Sequence, residues 1–222
     1  MTTERAMSTR VRPEPPISMQ VVALLVADID AIRVAVRGEP LLAHAIRGLA
    51  ESGCVDHVVV AAPTGAESIV RAVPGARCRV LPAAATRADS IRCALEAAGS
   101  CDVVLLHDAA RAFVPAATIR SVVEAVRRGA EAVAPVVPVT DTVKLVGADG
   151  VITATEDRTR LRTLQTPLGY ARNALRDACA RGIDPMSFPP GTVRTVAGHP
   201  NALRLATPFD VAVAEALLAQ QA

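Results

Sequence analysis

Three short segments bring together residue types that can handle phosphates and a divalent ion. The first is Thr86-Arg87-Ala88-Asp89-Ser90-Ile91-Arg92. It reads as a helix start, with Asp89 and Ser90 in the first turn, where backbone N–H groups lack helical partners and can meet a ligand. The second is His107-Asp108-Ala109-Ala110-Arg111. A carboxylate followed closely by an arginine can hold a divalent ion beside phosphates, or simply close a turn as an ion pair. The third is Thr140-Asp141-Thr142-Val143-Lys144, taken with Asp157-Arg158 and Leu164-Gln165-Thr166-Pro167. It places hydroxyls and cations on what reads as an arm, suited to a phosphorylated substrate or to a solvated face.

The elements that position these segments follow from periodicity. Residues 21–26, 57–61, 79–81, 103–106 and 132–137 are short runs rich in β-branched residues and apolar on both faces, as buried parallel strands are. Residues 40–51, 66–73, 87–97 and 116–128 carry helical patterns between them; Ile91, Ala94, Leu95 and Ala98 share one helix face. The alternation predicts an α/β fold with a mostly parallel, doubly wound sheet, in which ligands bind beyond the carboxyl ends of the strands. Residues 107–111 fall at that edge. From Thr140 the rhythm changes. Residues 142–145 and 151–155 flank a Gly147-to-Gly150 turn and predict a β-hairpin arm. A short helix at 173–179, a Pro-rich loop at 185–191 and a strand at 192–196 follow. The last helix opens at Thr207-Pro208-Phe209-Asp210, with Thr as N-cap and Pro at N1.

Composition excludes several classes. The 222 residues are 51% hydrophobic and 21% charged, enough for a sizeable core, with a net charge of only +2. One Tyr, three Phe and no Trp leave nothing for a groove that stacks nucleobases, so no nucleic-acid partner is expected. No apolar run is long enough to span a bilayer. The Arg- and Pro-bearing residues 1–18 lack the apolar stretch of a signal peptide and read as a flexible leader. Five Cys without a CxxC pair fit free thiols in a reducing cytoplasm. Dinucleotide, Walker, zinc-protease and serine-hydrolase signatures are all missing, and the four His are scattered. Of the 24 basic residues only Lys144 is a lysine.

The order RADSI, HDAAR, DTVK, DR and QTP resembles the 2-C-methyl-D-erythritol 4-phosphate cytidylyltransferases of non-mevalonate isoprenoid synthesis, over roughly residues 20 to 219. The resemblance implies a Rossmann-like nucleotidyltransferase fold in one domain, residues 19–222. It implies a homodimer through an arm at about 139–160, and transfer of CMP from CTP to the sugar-alcohol phosphate with Mg²⁺ and release of pyrophosphate. By the same resemblance Ser90, with Arg87 and Asp89, meets the cytosine end, Asp108 and Ala109 also bind the nucleotide, and Asp108 holds Mg²⁺. Thr142 and Arg158 bind the acceptor of the partner subunit's site and Thr166 lines the same pocket. Arg204 stands where the family has a phosphate-binding lysine.

The chain departs from the family at its nucleotide end. A Gly-rich loop followed by a lysine is replaced by Leu24-Leu25-Val26-Ala27-Asp28-Ile29-Asp30-Ala31-Ile32-Arg33, which has no glycine and sets two carboxylates where an anion is expected. Glycines before RADS are replaced by Ala83, Ala84 and Ala85, and an acidic segment after QTP by residues 183–190. A cation on a transferring phosphoryl can be worth roughly 10³–10⁵ in rate. The departures therefore predict weak or lost activity, unless Mg²⁺ bridges Asp28 or Asp30 to the phosphates and Arg33 replaces the lysine. A non-catalytic binding paralogue, or a nucleotidyltransferase of other specificity, are the alternatives.

Overall fold

The computed structural model describes residues 19–186 and 192–220. The expected leader and most of the Pro-rich loop lie outside them. The first half alternates strand and helix: β1 (Val21–Val26), α1 (Ile29–Arg33), the two-residue strands β2 (Ala35–Val36) and β3 (Glu39–Pro40), α2 (Leu41–Glu51), β4 (His57–Ala62), α3 (Ala66–Arg71), β5 (Cys78–Pro82), α4 (Arg87–Ala97), β6 (Val103–Asp108), α5 (Ala116–Arg127) and β7 (Ala132–Pro138). The second half holds β8 (Lys144–Val146), β9 (Ile152–Thr155), a 3₁₀ turn at Arg158–Arg160, β10 (Arg162–Leu164), β11 (Leu168–Ala171), α6 (Arg172–Ala180), β12 (Val193–Ala197) and α7 (Pro208–Ala219).

β1 lies between β4 and β6, parallel to both, and β5 extends the sheet beyond β4. All of Val21–Leu25 is buried, because helices cover both faces. One layer is built on the α2 face of Leu41, Leu42, Ala45, Ile46 and Leu49 with the α5 face of Ile119, Val122, Val123 and Val126. Burying each such Leu or Ile contributes about 1.5–3 kcal/mol. The opposite layer packs Ile91, Ala94 and Leu95 of α4 and Leu175 of α6 on Val22, Leu24 and Leu106. α4 begins where Thr86 caps it, its side chain accepting from the Asp89 N–H. α7 begins with a capping box between Thr207 and Asp210 and has Pro208 at its start, as the sequence predicts.

The sheet corrects one expectation. Residues 164–167 do not belong to the arm. β10 and β11 run along the same side of β7 and antiparallel to it, with register shifted across Gln165–Pro167; β11 also pairs antiparallel with β6. β12 pairs parallel with the opposite side of β7. A mostly parallel sheet therefore carries an antiparallel insertion between β6 and β7. Gly169 lets β11 approach α5: a Cβ there would lie 2.5 Å from Val122. The hairpin β8–β9 forms as expected but a few residues shorter, and every residue of its two strands is exposed.

Candidate functional site

Beyond the carboxyl ends of β1, β4 and β6 lies a cavity of about 400 Å³, lined by Asp28, Pro63, Ala83–Ala85, Ser90, Asp108 and Arg204 among others. Its size suits a small ligand. Asp108, the last residue of β6, fixes its carboxylate at both oxygens: Oδ1 accepts from the Ala110 N–H at 2.9 Å and Oδ2 from Arg204 Nε at 3.0 Å. Arg204 also reaches toward Asp28, at 4.0 Å between Nη2 and Oδ2. One guanidinium is thus shared by two carboxylates at the cavity wall. On its other side a recess of about 180 Å³ is lined by Asp28, Asp30 and Ala110.

Asp28 caps α1, accepting from the Ala31 N–H at 3.0 Å. The glycine-free segment therefore folds as a short capped helix, with Asp28 facing the cavity where a loop of amides was expected. Arg33 lies at the far end of α1, exposed, and lines neither the cavity nor the recess. Ala109 is fully buried, and its N–H donates to the Val26 carbonyl, tying β6 to β1. Ser90 lines the cavity but is 3% exposed; its hydroxyl accepts from the Ala84 N–H and donates to the Thr86 carbonyl. It shapes the alanine loop that forms the cavity wall. Arg87 lines the cavity and pairs with Asp184. Asp89 is not among the lining residues; the Thr86 hydroxyl and Arg92 hold its carboxyl below the usual carboxylate range.

Thr166 is buried rather than open to the cavity. Its hydroxyl accepts from the Asp108 N–H at 3.3 Å and lies 3.0 Å from His107 Nδ1. Burial pushes His107 down to about 4, Asp108 opposing the shift and Arg111 adding to it. His107 then has a lower pKa folded than unfolded, so below its ordinary value the unfolded chain takes up a proton that the native chain refuses. Stability is expected to fall as pH drops from about 6.5 toward about 4, on the reference value for His and the folded one. Urea unfolding across that window measures it, and a His107→Gln variant is expected to have a shallower slope.

Arg111 does not serve the cavity as the sequence suggested. Its guanidinium donates to the carbonyls of Ala202, at 2.7 Å, and Leu164, at 3.2 Å. Thr142 and Arg158 stand away from the cavity, near the exposed hairpin, with Arg158 bonded to the Thr140 carbonyl. The fold therefore joins Asp108, Arg204, Asp28, Arg87 and Ser90 around one cavity, and it leaves Arg33, Asp89, Thr142 and Arg158 outside its lining. Sequence reasoning missed Asp184 and Gln165. The signal for Gln165 was available: an uncharged polar side chain beside Thr166, two residues before Pro167, just ahead of the apolar Leu168–Ala171 run. A second cleft, of about 360 Å³ between α2 and α7, is chiefly apolar and includes none of the predicted site residues.

Among the described residues no three carboxylate, His or Cys side chains gather as a metal cage. Mg²⁺ does not require one, since it is commonly held by one or two carboxylates plus substrate phosphates. The hard oxygen donors of Asp108 and Asp28, facing one cavity with no thiol or imidazole among its lining residues, fit that chemistry.

Comparison with known proteins agrees with this geometry. The family model of 2-C-methyl-D-erythritol 4-phosphate cytidylyltransferase matches residues 25–220. A protein of that name from Saccharopolyspora erythraea is 46% identical, covering 90% of this chain and all of the relative. One from Nocardia farcinica is 42% identical, over 85% of this chain and 86% of its own length. Among solved structures, the cytidylyltransferase of Thermus thermophilus superposes with a TM-score of 0.73 at 31% identity, covering 90% of this chain and 98% of that one. The 4-diphosphocytidyl-2C-methyl-D-erythritol synthase of Anaerococcus prevotii, at 19% identity, shares the fold with a TM-score of 0.80, over 91% of this chain and 99% of its own. With its motifs in order and its strand ends arranged around Asp108 and Arg204, this chain belongs to the 2-C-methyl-D-erythritol 4-phosphate cytidylyltransferase family.

Proposed function

We propose that the chain transfers CMP from CTP to 2-C-methyl-D-erythritol 4-phosphate. The observation that carries this reading is the Asp108–Arg204 pair facing a nucleotide-sized cavity at the strand ends. In the reaction an oxygen of the acceptor phosphate bonds to the α-phosphorus of CTP, and the bond to the β-phosphate breaks as pyrophosphate leaves. Arg204 is the cation available to the phosphates, and the wall from Ala83 to Ser90 receives the base. Asp108, with Asp28, would hold Mg²⁺, which when bound neutralises charge on the triphosphate. Two carboxylates beside a phosphate otherwise repel it, by about 4 kcal/mol each at 4 Å and an effective dielectric of about 20. Nucleotide binding is therefore read as strongly metal-dependent. Five free thiols accord with a cytoplasmic setting.

One domain, residues 19–222, carries this site. Its hairpin, within 139–160, is read as the dimerisation arm that brings Thr142 and Arg158 to the partner's acceptor. Leu145, Val146, Val151 and Ile152 support this: all four are exposed apolar side chains on one hairpin. Deleting residues 139–160 is expected to give monomers in sedimentation analysis, and a surviving dimer would remove the arm from the interface.

A second reading, a binding paralogue without turnover, is favoured by one observation: Arg33, the nearest cation in the first loop, stands off the cavity. Pyrophosphate release from CTP and the acceptor with Mg²⁺, beside the Thermus thermophilus protein, separates the two. Turnover, with CTP binding lost on removing Mg²⁺ or in an Asp28→Ala, Asp30→Ala variant, supports the enzyme. Folded protein without turnover supports the paralogue.

A further inference from the structure

We infer that Gln165 is a positioning residue for Arg204. Its side chain is 4% exposed and makes three hydrogen bonds to one backbone segment. Oε1 accepts from the His199 N–H at 2.9 Å, and Nε2 donates to the carbonyls of His199 at 2.9 Å and Ala202 at 3.3 Å. Gly198 provides the space: a Cβ there would sit 2.4 Å from Gln165 Oε1 and 3.1 Å from the Val136 carbonyl group. A second fastening follows at Leu205, whose N–H donates to the Ala110 carbonyl at 2.8 Å. Leu205 is turned into the core, and Arg204, between the two anchors, is turned out onto Asp108.

Gln165 is itself held in the sheet, its N–H donating to the Pro135 carbonyl at 2.8 Å. The next residue, Thr166, accepts from the N–H of Asp108. One dipeptide at the break between β10 and β11 therefore sets both partners of the 3.0 Å contact, Thr166 through the Asp108 backbone and Gln165 through the loop segment bearing Arg204. Buried amides of this kind are directional and cannot be replaced by apolar packing without moving the segment. The inference rests on the proposed function only in taking Arg204 as the cation that meets the phosphates.

The test is a double-mutant cycle on the full chain. Gln165→Met keeps the length of the side chain and removes the carboxamide. It is expected to lower kcat/KM for CTP by about tenfold or more, the scale of a misplaced catalytic group, and to have almost no further effect in an Arg204→Ala background. An equal loss in both backgrounds would mean that Gln165 merely supports the fold, and would overturn the inference. Gln165→Glu provides a second variant if Gln165→Met does not fold: it keeps the acceptor for His199 and sets an oxygen against two carbonyls. A readout independent of turnover is the Nε–H resonance of Arg204, identified as the signal missing in Arg204→Ala. In either Gln165 variant its exchange with water is expected to quicken, and an unchanged signal would refute the positioning role. If the wild-type chain shows no turnover, the proposed function fails, while the resonance still decides the role of Gln165.

Discussion

Replacing Arg204 with alanine is expected to lower kcat/KM for CMP transfer by about 10³. The figure is the lower end of what an arginine on a transferring phosphoryl contributes, roughly 10³–10⁵. The lower end applies because the Arg204 side chain is 46% exposed and its charge is already shared between Asp108 and Asp28. Stability should hardly change, because an ion pair this exposed contributes only about 0.2–1 kcal/mol. An unchanged melting temperature with a large loss of pyrophosphate release would therefore separate chemistry from folding. Arg204→Lys is expected to recover only part of the rate. A lysine ammonium can neutralise charge, but it lacks the planar fork that lets one edge bond Asp108 while the other meets phosphate. A loss below tenfold in Arg204→Ala would place the phosphate-binding cation elsewhere on the chain.

Asp108→Asn is expected to act in opposite directions on turnover and on binding. Its amide oxygen can still accept from the Ala110 N–H, so the turn after β6 should be kept. The lost charge removes the partner of Arg204 and the principal oxygen donor for Mg²⁺, and turnover is expected to fall by about 10²–10³, as when a preorganised electrostatic group is removed. Metal-free CTP, by contrast, should bind more tightly than to the wild type, because one repelling carboxylate has gone from the wall. Calorimetric titration with and without Mg²⁺ would show this as a smaller metal dependence. Weaker binding of CTP in both conditions would mean that Asp108 meets the nucleotide directly.

Much of the fold was legible along the chain because buried parallel strands and amphipathic helices have short-range signatures. β1 and α4 have the predicted bounds, and α2, β4, α5 and β7 differ by one residue at an end. The caps at Thr86 and Thr207 were legible for the same reason, since a cap is decided within four residues. Strand β11 was not. Leu168-Gly169-Tyr170-Ala171 alternates weakly, and its place between β6 and β7 depends on two strands distant in sequence and on Gly169 meeting α5. The capped α1 was missed too: five residues give too little periodicity to read.

The site divides along the same line. Sequence alone determined which chemistry is available: a carboxylate at a strand end, an arginine in the place of a lysine, and a first loop without glycine. Those are properties of residue types and local order. Tertiary structure decided which of these groups meet. Asp108 and Arg204 come within 3.0 Å although 96 residues separate them, whereas Arg33 and Asp89, close to the cavity in sequence terms, fall outside its lining. It also turned Arg111 and Thr166 inward, from supposed ligand groups into supports, and set Gln165 with them beneath Asp108 and the loop segment bearing Arg204. The physical reason is that a buried polar group must find hydrogen-bond partners, and those partners are backbone atoms of segments brought near only when the sheet closes.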